Sequence, residues 1–182
     1  LHGRAARFDL AIADLDRTLS INDKARHAWF DRAEIRSQMG EYVMAIEDYA
    51  RALALDPRDA EAYNGRAHAY FELGKYQEAL ADYQKVVLLS AGAAPALIHR
   101  GDVLAAAGLL AKAREDYELA LARDKMSGVP HQRLAWLIAT APVGSLGTAD
   151  QAIALAEKGV ELRPNDWRAT ETLATVLGIA GR

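Results

Sequence analysis

The chain has no cysteine. Disulfides, thiolate zinc sites and a cysteine nucleophile are therefore excluded. A cysteine-free chain suits cytoplasm and periplasm alike, and the cytoplasm is the marginal expectation. No apolar run approaches the roughly 18 residues that a membrane-spanning helix needs, so a soluble chain with no membrane role is expected. No secretory leader is visible at Leu1. Aromatic residues make up only 7% of the chain. Neither sign of charge dominates: 22 Lys and Arg stand against 25 Asp and Glu, for a net charge of −3. That balance exerts no strong pull toward nucleic acid. Catalytic signatures are missing as well, with no phosphate-cradling Gly-x-x-x-x-Gly-Lys-Ser/Thr loop and no Gly-x-Ser-x-Gly elbow. His2, His27, His68, His99 and His131 form no metal-ligand motif and fall at different places along the chain. No catalytic residue, cofactor or metal is expected, and the chain reads as non-enzymatic.

What is present is a period. Residues 26–59, 60–93 and 94–127 align in register without a gap. Gly40, Gly74 and Gly108 fall 34 apart, as do Ala45, Ala79 and Ala113, and Tyr49, Tyr83 and Tyr117. Such a period marks one supersecondary unit copied along a solenoid, each copy burying its apolar face against its neighbours. Within a unit, Ala62, Tyr63, Ala67, Tyr70 and Phe71 keep helical spacing, and Leu73-Gly74-Lys75-Tyr76 interrupts it. Ala79, Leu80, Tyr83, Val86 and Val87 then form a second stripe. Each unit is thus a pair of amphipathic helices. Ten helices are expected, near residues 7–21, 26–38, 42–55, 60–72, 76–89, 94–106, 110–123, 129–139, 148–162 and 167–179.

The pattern resembles the tetratricopeptide repeat (TPR) family. The first unit carries it through Trp29, Ala33, Gly40, Tyr42, Ala45, Tyr49, Ala52 and Pro57. The second carries it through Tyr63, Ala67, Tyr70, Gly74, Tyr76, Ala79 and Tyr83, the third through Leu97, Gly101, Gly108, Ala113, Tyr117 and Ala120. Ala91 and Lys125 replace the terminal proline in these two. A fourth, irregular unit covers residues 128–166, with an insertion near 141–146 that contains Pro142 and Gly144. Residues 1–25 hold the second helix of a partial repeat and 167–182 the first helix of another, so the chain reads as one array cut from a longer protein. The resemblance implies an all-α, right-handed superhelical solenoid.

A paired swap runs through the repeats. Arg32, Arg66 and Arg100 recur on first helices, and Asp48, Asp82 and Asp116 recur on second helices. In the fourth unit both positions become leucine, Leu134 and Leu155. Joint replacement predicts that each arginine pairs with its aspartate across the two helices, rather than forming a ladder for anionic ligands. The recurring tyrosines, at this spacing, are expected in the core rather than as a base-stacking ladder.

In TPR proteins the first helices line a concave groove. The resemblance implies that Phe30, Asp31, Glu34 and Gln38 face it in the first repeat, and Asn64, Gly65, His68, Phe71 and Glu72 in the second. Ile98, His99, Asp102 and Ala106 follow in the third, and Gln132, Arg133, Trp136 and Thr140 in the fourth. Of these, Phe30, Glu34, Asn64, His68, Phe71, His99, Asp102, Arg133 and Trp136 are the candidate peptide-binding residues. The implied function is a scaffold that binds a protein or peptide segment. The family's carboxylate clamp for chaperone C-terminal tails does not carry over. Its positions here hold Asn64, His68, His99, Val129 and Arg133, of which only Arg133 is of the required type. Two alternatives remain. One is homo-oligomerisation through the terminal helices, using Phe8, Ile12 and Leu15 at one end and Leu173, Val176 and Leu177 at the other. The other is a regulatory arm of a larger enzyme whose catalytic domain lies outside these residues.

Overall fold

The computed structural model describes residues 2–181, with side chains from Arg7 to Gly181; Leu1, Arg182 and the side chains of residues 2–6 lie outside the described set. Ten helices run in order: α1 His2–Ile21, α2 Arg26–Gln38, α3 Tyr42–Leu55, α4 Ala60–Glu72, α5 Tyr76–Leu89, α6 Ala94–Ala106, α7 Leu110–Arg123, α8 Gly128–Thr140, α9 Ala149–Leu162 and α10 Trp167–Ile179. No strand occurs among the described residues. The fold is an all-α helical-repeat solenoid. Helices α2 to α7 fall on the expected ranges, because a glycine closes each hairpin. Gly40, Gly74 and Gly108 all sit at positive φ, between 70° and 80°, where a Cβ is strained.

Two compact units divide at Ala91 and Gly92. The first holds α1 to α5. In it α2 packs on α3, α4 on α5, and α3 and α2 on α4, with α1 against α2. Its core joins Ala33, Ala45, Tyr49, Ala52, Leu53 and Ala62, with Trp29, Phe30 and Tyr63 packed around them. Alanine at these contact points lets helix axes approach closely. The second unit holds α6 to α10. There α6 packs on α7, α8 on α9, and α10 against both α8 and α9. Ala135, Ala152, Ile153, Ala156 and Val176 form a core in it.

The arginine–aspartate pairs form as expected. Arg32 reaches Asp48 through Nε and Nη2 at 2.8 and 2.6 Å, Arg66 reaches Asp82 at 2.7 and 2.8 Å, and Arg100 reaches Asp116 at 2.7 and 2.6 Å. Each is a two-pronged guanidinium–carboxylate contact between the helices of one pair. In the first pair Arg36 adds a third bond to Asp48 at 2.7 Å, and Arg32 also pairs with Asp16 of α1. The aspartates are buried, so the arginines point inward rather than offering a ladder to ligands. In α8 and α9 the swap to leucine places Leu134 in the interior, and Leu155 packs on the core around Val176.

Three expectations are corrected. Gly65 does not face a groove: it is buried, and a Cβ there would meet the Tyr49 ring. Ile98 and Gln132 are likewise buried rather than groove-lining. Val176, expected to expose an apolar end of α10, is wholly buried by α8 and α9. The start of the ninth expected helix also shifts. Thr148 stays outside α9 as its N-cap, exchanging bonds with Gln151 in a capping box.

The insertion between α8 and α9 is an anchored loop. Ser145 bonds the Pro142 carbonyl oxygen through its amide and its hydroxyl. Leu146 is buried, and its carbonyl oxygen accepts from Arg114 Nη1 at 2.6 Å. Between these anchors Val143 is fully exposed.

Candidate functional site

The candidate residues sit on α2, α4, α6 and α8, one helix from each pair. On these helices Ala33, Ala67, Gly101 and Ala135 are buried in the core. The next residue in each is rotated about 100° away toward the surface: Glu34 and Asp102 are half-buried at the margin of the core, and His68 and Trp136 are exposed.

The two marginal residues are held from behind. The Tyr49 hydroxyl donates to Glu34, and the Tyr117 hydroxyl donates to Asp102 at 2.7 Å. Both tyrosine rings are buried. The core therefore sets the orientation of carboxylates that the surface displays. Burial pushes the Tyr49 hydroxyl far above its ordinary pKa, with Glu34 adding to the shift. Tyr117 moves the same way, through burial first and then the charge of Asp102. The tyrosine period by itself signals only packing. The further signal is an acid 15 residues before the tyrosine in two of the repeats, Glu34 with Tyr49 and Asp102 with Tyr117.

This arrangement predicts alkaline sensitivity. Both hydroxyls ionise at higher pH in the folded state than in the unfolded chain, where the value is 10.0. Their contribution is complete below that pH and is lost as pH rises past it, by up to about 1.4 kcal/mol per pH unit for each tyrosine. Urea midpoints should fall above pH 10, and the decline should be shallower in a Tyr49→Phe/Tyr117→Phe variant. An unchanged midpoint across this range would contradict the arrangement.

The remaining candidates divide by unit. In the first, Phe30 meets Tyr49 edge-on at 5.9 Å between centroids. His68 meets the Tyr42 ring at 6.5 Å and lies 3.5 Å from Glu72 through Nε2. Phe71 is half-buried against Tyr76 at 5.9 Å. An open cavity of about 460 Å³ brings together Phe30, Glu34 and Asn64, with Ala60, Glu61 and Val86. His68 and Phe71 lie farther along α4 and do not line it. In the second unit Arg133 joins Asp102 through Nε at 2.8 Å. His99 on α6 and Trp136 on α8 are exposed. No group of three or more His, Asp or Glu among the described residues is placed to hold a metal, and no described helix is long and apolar enough to cross a membrane.

The helix pairs and their closing glycines match known repeat patterns. A TPR repeat profile matches residues 33–74, and a tetratricopeptide repeat profile matches residues 60–90. Residues 33–90 of the chain are tetratricopeptide repeats. TPR structures share its fold. A thermophilic TPR protein of Thermus thermophilus is 26% identical, covering 95% of this chain and 92% of that one, with a TM-score of 0.72. A tetratricopeptide repeat protein from Parabacteroides merdae is 19% identical over 97% of this chain and 68% of that one, at a TM-score of 0.80. YrrB, described as a TPR protein with an unusual peptide-binding site, is 19% identical over 92% of both chains, at 0.67. No curated protein matches the sequence. The TPR family is generally a non-catalytic interaction fold, so protein partners are the expected class.

Proposed function

We propose that this TPR protein is a non-enzymatic scaffold that binds a peptide or protein segment along the faces of its first helices. In one unit the contact residues are Phe30, Glu34, Asn64, His68 and Phe71; in the other they are His99, Asp102, Arg133 and Trp136. The observation that carries the reading is the open cavity lined by Phe30, Glu34 and Asn64. It combines an aromatic ring, a core-positioned carboxylate and an amide, the mixture that fixes a peptide backbone and one side chain. YrrB supports the reading as a similarly folded protein described as having a peptide-binding site. The fourth repeat supplies an exposed tryptophan, Trp136, of the kind that dominates interface energies.

Panning a displayed random-peptide library on the immobilised chain tests this. Peptides enriched on the wild type should bind a Phe30→Ala/Asn64→Ala variant of unchanged helicity at least about tenfold more weakly, the loss of one anchoring contact. Equal binding to both, or no enrichment, would overturn peptide recognition at this face.

A further inference from the structure

The two carboxylates held by core tyrosines differ in what sits in front of them. Asp102 bonds the Tyr117 hydroxyl and also takes the guanidinium of Arg133, which reaches across from α8. Glu34 occupies the same place two periods earlier and bonds the Tyr49 hydroxyl. The counterpart of Arg133 there, again two periods earlier, is Gly65. No side chain can grow from Gly65 without striking Tyr49. The first unit therefore keeps the carboxylate and its tyrosine but lacks the internal arginine, and the open cavity lies in front of Glu34.

We infer that this cavity receives an arginine side chain from the partner segment, so that Glu34 takes from outside the guanidinium that Asp102 takes from Arg133. This rests on the proposal that peptides bind at this face. The lining fits a cation. Its two ionisable residues, Glu34 and Glu61, are both acidic, and neither forms an ion pair among the described residues. Arg26, one turn before Phe30, is already committed to Asp59, the N-cap of α4. Phe30 offers an aromatic ring for the guanidinium plane, and Ala60 and Val86 offer apolar walls for the methylene stem. Bonding from a neutral hydroxyl orients Glu34 without neutralising it. An anionic side chain entering the same space meets two carboxylates and is rejected.

Amide chemical shifts of the full chain, titrated with N-acetyl-arginine amide and with its lysine, leucine and glutamate counterparts, test the assignment. The arginine probe should shift Phe30, Glu34, Glu61 and Asn64 saturably with a millimolar dissociation constant, more tightly than the lysine probe, and more weakly as salt is added. The glutamate probe should not bind. Glu34→Gln, which keeps an oxygen for the Tyr49 hydroxyl, and Glu61→Gln, at an exposed position, should each weaken the arginine probe by roughly tenfold. No saturable shift, equal binding of the glutamate probe, or indifference to both substitutions would overturn the assignment. Binding of the leucine probe alone would also remove the cation while leaving peptide recognition at this face intact. If the arginine probe titrates as expected but the library yields no peptides, the side-chain site stands and the wider peptide reading falls.

Discussion

Asp82→Leu should destabilise the protein by about 3 to 5 kcal/mol, and adding Arg66→Leu should restore most of that loss. Asp82 is buried, and it receives two charge-assisted bonds from Arg66 at 2.7 and 2.8 Å. Removing the carboxylate alone leaves a guanidinium, four-fifths enclosed, with no counter-ion. Its ring contacts with Tyr63 and Tyr70 do not replace that partner, since a cation–π contact is weaker than a two-pronged charge-assisted bond. Removing both charges leaves two apolar side chains between α4 and α5. The fourth helix pair already shows this solution, with Leu134 buried and Leu155 against the core. Denaturant titration of the two single variants and the double variant, read as a coupling energy, checks it. Additive losses would mean that the pair contributes nothing as a pair.

Gly101→Ala should lower stability by about 1 to 3 kcal/mol, against the direction of helix propensity. Alanine is favoured over glycine inside a helix by about 1 kcal/mol. Here, however, a new Cβ lies 2.5 Å from Tyr117 Cε1 and 2.9 Å from Cδ1. The ring is 2% exposed and its hydroxyl is tied to Asp102, so it has little room to retreat. Overpacking of this kind outweighs the propensity gain. Gly65→Ala should behave likewise against Tyr49. Gly178 is the control, because nothing lies within 4 Å of its added Cβ. Gly178→Ala should be neutral or raise stability by up to about 1 kcal/mol. Thermal midpoints that moved the same way in all three variants would contradict the packing account.

The helices were legible because their signals are local. Turn glycines and apolar stripes lie within one hairpin, and six helices in a row fall on the ranges that those signals mark. The Arg/Asp pairing was legible for a different reason: both members change together in the fourth unit, which is evidence of contact inside a single sequence. Side-chain direction was less legible. Family position put Gly65 on the groove face, but Tyr49 takes up the space that its missing side chain leaves. The anchoring of the inserted loop by Arg114 joins residues 32 apart, and no periodic signal marks it. In the candidate site the residue types were legible and their grouping was not. Glu61, one turn before Asn64 on α4, and Val86, from α5, complete the cavity; Glu61 carries no mark of its own in the sequence, and the stripe that holds Val86 signals only packing.

The leucine pair in the fourth repeat also bears on how the chain reaches its fold. Near-identical hairpins invite exchange, in which a helix docks on the partner of another repeat before its own arrives. An arginine helix such as α4 docked on α9 sets a guanidinium against Leu155, and α8 docked on α5 sets Leu134 against Asp82. Either mismatch buries a charge without a counter-ion and is costly enough to come apart. The swap therefore works as a key, giving α8 and α9 a mating surface that the earlier hairpins cannot counterfeit.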